Sequence, residues 1–351
     1  MIDFYFARKL AGTFLFTRRT TPRRFLNLCR ILFQHYVTRP AEVKGKPVRL
    51  IIDTCNLCNL RCPLCPTGQG RTERARGTLG LEDFKRIIAE LGDCLYEADL
   101  YNWGEPLLNK ELPAMIACAS AAGVRTTISS NLNLLTPDTA EALVKSGLDQ
   151  ITVSLDGTDQ ESYGKYRIGG DFSRVAANVK LMADTKARLG SATPHLVWQY
   201  LVMAGTEAGI PEARASWKKL GFDELHLRPV RCDMAEEIKL PDAEKISRTS
   251  SWLPKEQALS RYDYSGGRSK TSPSTCLFLW TQAVVHWNGA VTPCCSIYEE
   301  SHDFGNMFSD GGFMAVWNNR KYRMARESVA KMEPYEGHVC SYCIKNGFID
   351  Y

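Results

Sequence analysis

The feature that most restricts the fold is an alternation of short β-like runs with amphipathic helical stretches over residues 48–230. Six runs are predicted as strands: Val48–Thr54, Ala98–Trp103, Arg125–Ser129, Gln150–Leu155, His195–Met203 and Glu224–Pro229. Helical stretches lie between them, near residues 81–92, 110–122, 137–147, 172–189 and 207–220. Strands that alternate with helices form βαβ units around a parallel sheet. Six units, where a complete barrel needs eight, predict an α/β fold with a partial (β/α)6 TIM-like barrel.

The alternation stops on both sides of this span, which divides the 351 residues into four parts. These are a basic amphipathic helical arm (1–47), the partial barrel (48–230), a polar linker (231–275) and a small C-terminal α+β domain (276–351). In the last part Asn288-Gly289 separates two short apolar runs, which is typical of a β-hairpin. The stretch Phe313–Ala330 is predicted to be helical.

The net positive charge of the chain is concentrated in the arm. Residues 1–47 hold ten Lys or Arg against two Asp or Glu, a net +8, which leaves −3 for the remaining 304 residues. Such a body predicts no nucleic-acid partner. The arm is predicted either to pack on the barrel or to lie on an anionic membrane surface, and both readings stay open. With no apolar run of about 18 residues, we expect a cytoplasmic protein, at most peripheral at the inner face of the membrane.

Thirteen cysteines, an odd number in a long chain without a typical secretory signal, argue against a disulfide scaffold and for a metal centre. The densest group is Cys58-x3-Cys62-x2-Cys65, with Cys55 just before it, directly after the first predicted strand. Structural zinc usually takes two hooks that are far apart in the chain. Bacterial ferredoxins use C-x2-C-x2-C-x3-C, which this run does not match.

The Cys58-x3-Cys62-x2-Cys65 run closely resembles the signature of the radical S-adenosylmethionine (radical SAM) superfamily. The resemblance implies a [4Fe-4S] cluster on these three thiolates, with one iron left open for S-adenosylmethionine. Reductive cleavage of that cofactor then yields a 5′-deoxyadenosyl radical that takes a hydrogen from the substrate. A fourth thiolate would close the open iron, so we expect Cys55 to point away and to pack in the interior.

Further residues resemble the cofactor-binding loops of the superfamily. Gly104-Glu105-Pro106, after the second strand, is similar to the family's Gly-Gly-Glu-Pro segment, with Trp103 in place of the first glycine. The same residues could form a simple turn, and the polar ones could be caps. The resemblance also implies that Leu64 contacts the cofactor through its backbone. It implies further cofactor contacts from Ser130, Asn131, Ser154, Asp156 and Arg167.

A second set of cysteines lies in the C-terminal part: Cys276, Cys294, Cys340 and Cys343. Ligands from separated hooks also suit zinc, so zinc stays open on spacing alone. The spacing resembles the SPASM/twitch extensions of radical SAM enzymes. In its shorter form, this implies one auxiliary [4Fe-4S] cluster on four thiolates, with a role in electron transfer.

Together these resemblances predict a radical SAM oxidoreductase that oxidises a small sugar- or aminocyclitol-like molecule, with the auxiliary cluster as electron acceptor. A reducing flavodoxin- or ferredoxin-like partner is implied. Three alternatives stay open: a peptide- or protein-modifying maturase, an enzyme for a membrane-lipid-linked substrate, and an electron carrier that does not cleave S-adenosylmethionine. No catalytic base is assigned from the sequence.

Overall fold

The computed structural model describes residues 19–232, 239–270 and 275–346. Its centre is a nine-stranded sheet in the order β11-β10-β9-β1-β2-β3-β4-β5-β6, with every neighbouring pair from β1 to β6 parallel. The strands are β1 Arg49–Ile52, β2 Glu97–Asp99, β3 Arg125–Ser130, β4 Gln150–Ser154, β5 His195–Val202, β6 Glu224–Pro229, β9 Gln282–Val285, β10 Ala290–Thr292 and β11 Gly305–Asn306. A separate small ribbon pairs β7 Tyr262–Asp263 with β8 Arg268–Ser269. Among the described residues the outer strands β6 and β11 do not pair, so the predicted partial barrel is confirmed.

The helices follow the strands in the predicted alternation. They are α1 Pro22–Phe33, α2 Leu81–Leu91, α3 Leu112–Ala121, α4 Pro137–Lys145, α5 Gln160–Tyr166, α6 Phe172–Arg188, α7 Ile210–Leu220, α8 Asp242–Arg248, α9 Phe278–Thr281, α10 Phe313–Trp317, α11 Arg320–Lys331 and α12 Cys340–Asn346. The predicted helix over Phe313–Ala330 is in fact two helices. Asn319 starts the second, because its side chain accepts a hydrogen bond from the backbone N–H of Tyr322 and caps the new N-terminus.

The two faces of the sheet differ in polarity because side chains alternate along each strand. Leu50, Ile128 and Val153 belong to the main apolar core, which the helices cover. The opposite face carries charged residues that pair across strands: Arg49 of β1 with Asp99 of β2, and Arg125 of β3 with Glu97 of β2. The inside of the partial barrel therefore carries paired charges, next to a small apolar cluster that includes Ile51 and Val284.

The predicted hairpin at Asn288-Gly289 is present, and its first strand, β9, also pairs with β1. Strand β9 lies parallel to β1, with Arg49 opposite Gln282 and Ile52 opposite Val285. In the six-unit order β1 would be an edge with unpaired backbone groups, and the C-terminal hairpin supplies the missing partner. The C-terminal part therefore continues the sheet of the barrel, which the sequence did not indicate.

The described part of the arm is the helix α1 and a π-helical turn over Gln34–Thr38. Residues 1–18, the first stretch predicted as amphipathic helix, lie outside the described residues. The side chain of Arg24 is buried and donates to the backbone carbonyls of Arg19, Gly92 and Ala122. Gly92 and Ala122 cap the C-termini of α2 and α3, where carbonyls lack intrahelical partners and a cation is favoured. One guanidinium thus fixes α1 to the N-terminal end of the barrel strands.

Candidate active site

The loop after β1 presents Cys58, Cys62 and Cys65 at the carboxyl-terminal edge of the sheet. The three thiols adjoin one apolar cluster that also holds Leu60, Tyr166 and the half-buried Leu64. Burial raises the pKa of Cys58 to about 12. It also raises the pKa of Cys62, which Arg167 partly offsets. Thiols in such surroundings become thiolates only with a strongly positive partner, as the iron of a cluster would be.

Cys55 is held apart from these three. Its sulfur accepts from the backbone N–H of Leu57 at 3.3 Å and lies 3.7 Å from the carbonyl oxygen of the same residue. The side chain is almost fully buried, and burial raises its pKa to about 11. Cys55 therefore packs within its own turn, as expected for a thiol that leaves one iron open.

The segment after β2 lies directly against the first loop. A Cβ atom at Gly104 would sit 1.8 Å from the carbonyl oxygen of Cys55, so only glycine fits this approach. The backbone N–H of Glu105 donates to Leu57 at 2.7 Å. Pro106 then starts a short 3₁₀ turn. The backbone of this segment is thereby fixed beside the cysteine loop.

The carboxylate of Glu105 binds the chain itself. It accepts from the Ser130 hydroxyl at 2.7 Å, from the Asn131 backbone N–H at 2.8 Å and from the Leu107 backbone N–H at 3.1 Å. Glu105 and Ser130 thus tie the ends of β2 and β3 together. If this segment contacts a cofactor, its backbone remains available for that contact and its carboxylate is already engaged.

Asn131 directly follows β3, and Ser154 is the last residue of β4. The Asn131 side-chain amide donates to Asn59 at 2.9 Å and lies 4.0 Å from the sulfur of Cys58. The Ser154 hydroxyl lies 3.5 Å from that of Ser129, at the end of β3. The structure thus brings Asn131 to the cysteine loop and leaves Ser154 on the polar face beside it.

The buried Asp156 and the partly buried Arg167 form an ion pair that reaches the cysteines. Arg167 Nε donates to Asp156 Oδ2 at 2.6 Å, and another guanidinium nitrogen lies 3.7 Å from the sulfur of Cys62. Asp156 Oδ1 in turn accepts from the backbone N–H of Leu201 in β5. Burial opposes the charge of Arg167, but Asp156 and Cys62 outweigh it and raise its pKa above the ordinary value. A fixed positive charge therefore faces one predicted cluster ligand.

The four cysteines of the second set all pack against the main apolar core. Burial raises the pKa of Cys340 well above its ordinary value, and the nearby thiols of Cys276, Cys343 and Cys294 add to the effect. Burial likewise raises the pKa of Cys276 to about 12, with Cys294 as a neighbour. The adjacent Cys295 instead lies near Arg231 and Arg49, on the barrel side. This arrangement favours Cys294 over Cys295 in the second set.

Within the described ranges, no three cysteine, histidine or acidic side chains lie close enough together to coordinate a single metal ion. The two sets are therefore recognised by their order along the chain and by their shared surroundings rather than by a closed coordination sphere.

Sequence reasoning missed a buried link between the two sets. Asp53, at the end of β1, lies 3.5 Å from Nδ1 of His286 in the hairpin, and both side chains are fully buried. Nε2 of His286 lies 3.2 Å from the Thr292 hydroxyl, two residues before Cys294. Burial raises the pKa of Asp53 to about 7, against the effects of the Trp103 backbone N–H and Arg74. The only signal in the sequence is an acidic residue directly after a buried strand.

Trp103, which replaces a glycine of the family pattern, forms a second link. Its indole N–H donates to the carbonyl of Ile297 at 3.2 Å, and its ring meets that of Tyr298 edge-on. Arg74, in the loop after the first cysteines, donates to the Tyr298 carbonyl at 2.6 Å and pairs with Asp303. The loops that carry the two cysteine sets are thus joined by buried contacts.

Comparison with known proteins agrees with this geometry. Residues 52–192 match the model of the radical SAM superfamily. Residues 276–344 match SPASM, described as an iron–sulfur cluster-binding domain. The chain belongs to the radical SAM superfamily. Membership implies a [4Fe-4S] cluster and S-adenosylmethionine, and the SPASM match favours iron–sulfur over zinc at the second set. The predicted family and cofactor classes are confirmed.

The relatives differ in the substrates that their names give. The AdoMet-dependent heme synthase of Nitratidesulfovibrio vulgaris is 23% identical over 85% of this chain and 88% of its own length. The Fe-coproporphyrin III synthase of Methanosarcina barkeri is 34% identical, over 35% of this chain and 30% of its own. The PqqA peptide cyclase of Granulibacter bethesdensis is 33% identical, over 35% of this chain and 32% of its own. The last two matches span about a third of each relative.

Solved structures share the fold. Streptococcus suis SuiB bound to precursor peptide SuiA gives a TM-score of 0.62 at 16% identity, over 94% of this chain and 81% of that one. The enzyme anSMEcpe with bound AdoMet gives 0.57 at 17% identity, over 82% of this chain and 81% of that one. At these identities the likeness shows the fold and nothing of the substrate.

Proposed function

We propose that the protein is a radical SAM oxidoreductase that removes hydrogen from a small polar molecule of the sugar or aminocyclitol type. The observation that carries the proposal is the Cys58, Cys62 and Cys65 loop, set at the carboxyl-terminal edge of the barrel with Arg167 against one sulfur. An electron carrier would need no such edge of polar loops. The family membership and this placement together support an enzyme.

The residues have separate roles in the proposal. Cys58, Cys62 and Cys65 would hold the first cluster, while Cys276, Cys294, Cys340 and Cys343 would hold the auxiliary one. Backbone groups of Leu64 and of Gly104 to Pro106, with Asn131, Ser154 and the Asp156–Arg167 pair, would orient S-adenosylmethionine, and Glu105 and Ser130 would hold their loops in place. When bound, these groups supply a 5′-deoxyadenosyl radical for hydrogen abstraction and an acceptor for one further electron.

Polar side chains at the carboxyl-terminal ends of the strands support a hydrophilic substrate. The amide nitrogen of Asn131 lies 4.0 Å from the sulfur of Cys58, and the hydroxyls of Ser129 and Ser154 lie 3.5 Å apart at the ends of β3 and β4. Such a surface offers hydrogen bonds to hydroxyl and amino groups and gives little contact to an apolar molecule. A reducing flavodoxin- or ferredoxin-like protein is proposed as the electron donor.

A second candidate is a reaction of heme synthesis. It is favoured by the heme synthase match, which takes in 85% of this chain and 88% of that relative. Both candidates would use the same proposed site, so the substrate separates them.

The test uses anaerobically purified and reconstituted full-length protein. We expect about eight irons per chain and no stoichiometric zinc, with 5′-deoxyadenosine formed on addition of dithionite and S-adenosylmethionine. Absence of 5′-deoxyadenosine from protein with a reducible first cluster would overturn the enzyme proposal. Aminocyclitols, iron–coproporphyrin and a peptide mixture are then compared for substrate-dependent product.

A further inference from the structure

The helix α1 has an inverted distribution of polarity. Its buried side holds the charged Arg24 and the polar Asn27 beside Leu28 and Ile31. Its outward side, continued by the following π-helical turn, shows large apolar residues to solvent. These are Phe25 (43% exposed), Leu26 (64%), Phe33 (55%) and Val37 (64%), here called the outer face.

Hydrogen bonds and an ion pair hold the helix with its polar side chains turned inward. Arg24 donates to three backbone carbonyls, and Asn27 exchanges two hydrogen bonds with the backbone of Lys46, at 2.8 and 2.9 Å. Arg19 adds a two-pronged pair with Asp149, at 2.7 and 2.9 Å. Because these contacts fix the rotation of the helix, the outer face cannot turn inward without breaking them.

The outer face is concentrated rather than scattered. Of the seven large hydrophobic residues that are exposed in the described part of the chain, four belong to it. Single exposed apolar residues are ordinary, but a contiguous apolar face marks an interaction site. Exposed Arg23, Arg30 and Lys44 accompany it, in a segment (1–47) whose net charge is +8.

We propose that the outer face of α1 docks the protein on an anionic lipid bilayer. Apolar side chains would enter the boundary between headgroups and acyl chains, while the flanking cations meet the anionic headgroups. The net +8 of residues 1–47 fits this partner and disfavours a second copy of the same face, because two such segments repel each other. Asp93 pairs with Arg23, Asp149 with Arg19 and Glu42 with Arg323, which leaves Arg30 and Lys44 as exposed cations.

The docking face lies at the opposite end of the strands from the cysteine loop. Arg24 binds the C-terminal carbonyls of α2 and α3, which precede β2 and β3. The Cys58 loop follows the end of β1, at the other edge of the parallel sheet. A bilayer-bound protein would thus keep its proposed site turned toward water, so the proposal gives no support to a substrate embedded in the membrane.

The test is flotation of the full-length holoprotein with vesicles of phosphatidylglycerol and phosphatidylcholine, or of phosphatidylcholine alone. We expect binding to the anionic vesicles that weakens on raising salt from 0.1 to 0.5 M. Leu26→Ser with Phe33→Ser should lower the bound fraction by about tenfold or more. Met332→Ser with Tyr335→Ser, which removes two apolar side chains that are 50% and 40% exposed elsewhere, should not.

Several outcomes would overturn the proposal. One is absence of binding to anionic vesicles. Another is equal binding by the Leu26/Phe33 variant, which would assign any membrane contact to residues 1–18. A third is a wild-type dimer that the same variant dissociates, which would make a second copy the occupant. Iron content and 5′-deoxyadenosine formation, measured on the same samples, report on folding and on the proposed chemistry separately.

Discussion

At the scale of single residues, Arg167 is the side chain that most directly acts on the proposed first cluster. Its guanidinium lies 3.7 Å from the sulfur of Cys62 and is held there by Asp156. Hydrogen bonds and positive charge near a ligand sulfur favour the reduced state of an iron–sulfur cluster. The pair therefore does more than neutralise a buried carboxylate.

We predict that Arg167→Gln shifts the reduction potential of the first cluster to a more negative value and slows formation of 5′-deoxyadenosine by about 10–100-fold. Arg167→Lys keeps the charge but lacks the branched guanidinium that reaches both Asp156 and Cys62. Its potential and its rate should therefore lie between those of the wild type and of Arg167→Gln. Potentiometry followed by electron paramagnetic resonance measures the shift. Arg174→Gln, on the exposed side of α6, is the control, and an unchanged potential in Arg167→Gln would contradict the role.

Asp53 gives a prediction about pH and stability. Its folded-state pKa is about 7, whereas a carboxyl in an unfolded chain titrates near 4. Between these values the folded protein holds a proton that the unfolded chain has lost, so this group makes stability fall as pH rises. Asp53→Asn should therefore gain stability over the wild type from pH 5 to pH 8, on the order of 2–4 kcal/mol at the upper end.

Thermal unfolding of the two proteins across this range checks the prediction. His286 is present in both, so the difference between them follows Asp53. Asp184→Asn, an exposed carboxylate on α6, should show no such pH-dependent difference. A difference between Asp53→Asn and wild type that stays flat from pH 5 to pH 8 would show that the buried pair does not hold a neutral carboxyl.

At the scale of elements, local pattern predicted most of the barrel. The runs Val48–Thr54 and Gln150–Leu155 contain β1 and β4, because strand and helix periodicity are local properties of a sequence. The pairing of β9 with β1 was not predictable in this way. It joins residues more than 200 positions apart, and nothing near either strand marks its partner.

In the candidate site, too, local features were predictable from the sequence and long-range contacts were not. The spacing of Cys58, Cys62 and Cys65 is local and was visible in the sequence. The engagement of Glu105 by Ser130, and the contact of Asp53 with His286, depend on which strand ends meet in the folded chain. Sequence order alone gives the residue types at each strand end but not their partners.

The contact of Trp103 with Tyr298 tests whether the two cysteine loops depend on each other. Trp103→Gly removes both the ring contact and the hydrogen bond to Ile297, and should lower the free energy of unfolding by about 3–5 kcal/mol. Trp103→Phe keeps a ring and loses the hydrogen bond, at a cost of about 1 kcal/mol. Urea unfolding under anaerobic conditions measures both, and equal losses would show that the ring contact adds no stability.

At the scale of the whole molecule, the nine-stranded sheet carries both cysteine sets on one continuous body. The first set follows β1. In the second set, Cys276 precedes β9 and the other three cysteines follow β10; β9 pairs with β1, and β10 pairs with β9. Loss of ligands at one set should therefore leave the sheet, and the other set, in place. This separates the two proposed clusters experimentally.

We predict that Cys340→Ser with Cys343→Ser lowers the iron content from about eight to about four per chain. This variant should still form 5′-deoxyadenosine with dithionite, because the first set and its loops are untouched. Cys58→Ser with Cys62→Ser should retain about four irons and form none. Cys118→Ser, a partly buried thiol of α3 outside both sets, is the matched control. Loss of all iron from either double variant would show that the two sites fold as one unit, and stoichiometric zinc in the wild type would assign the second set to zinc.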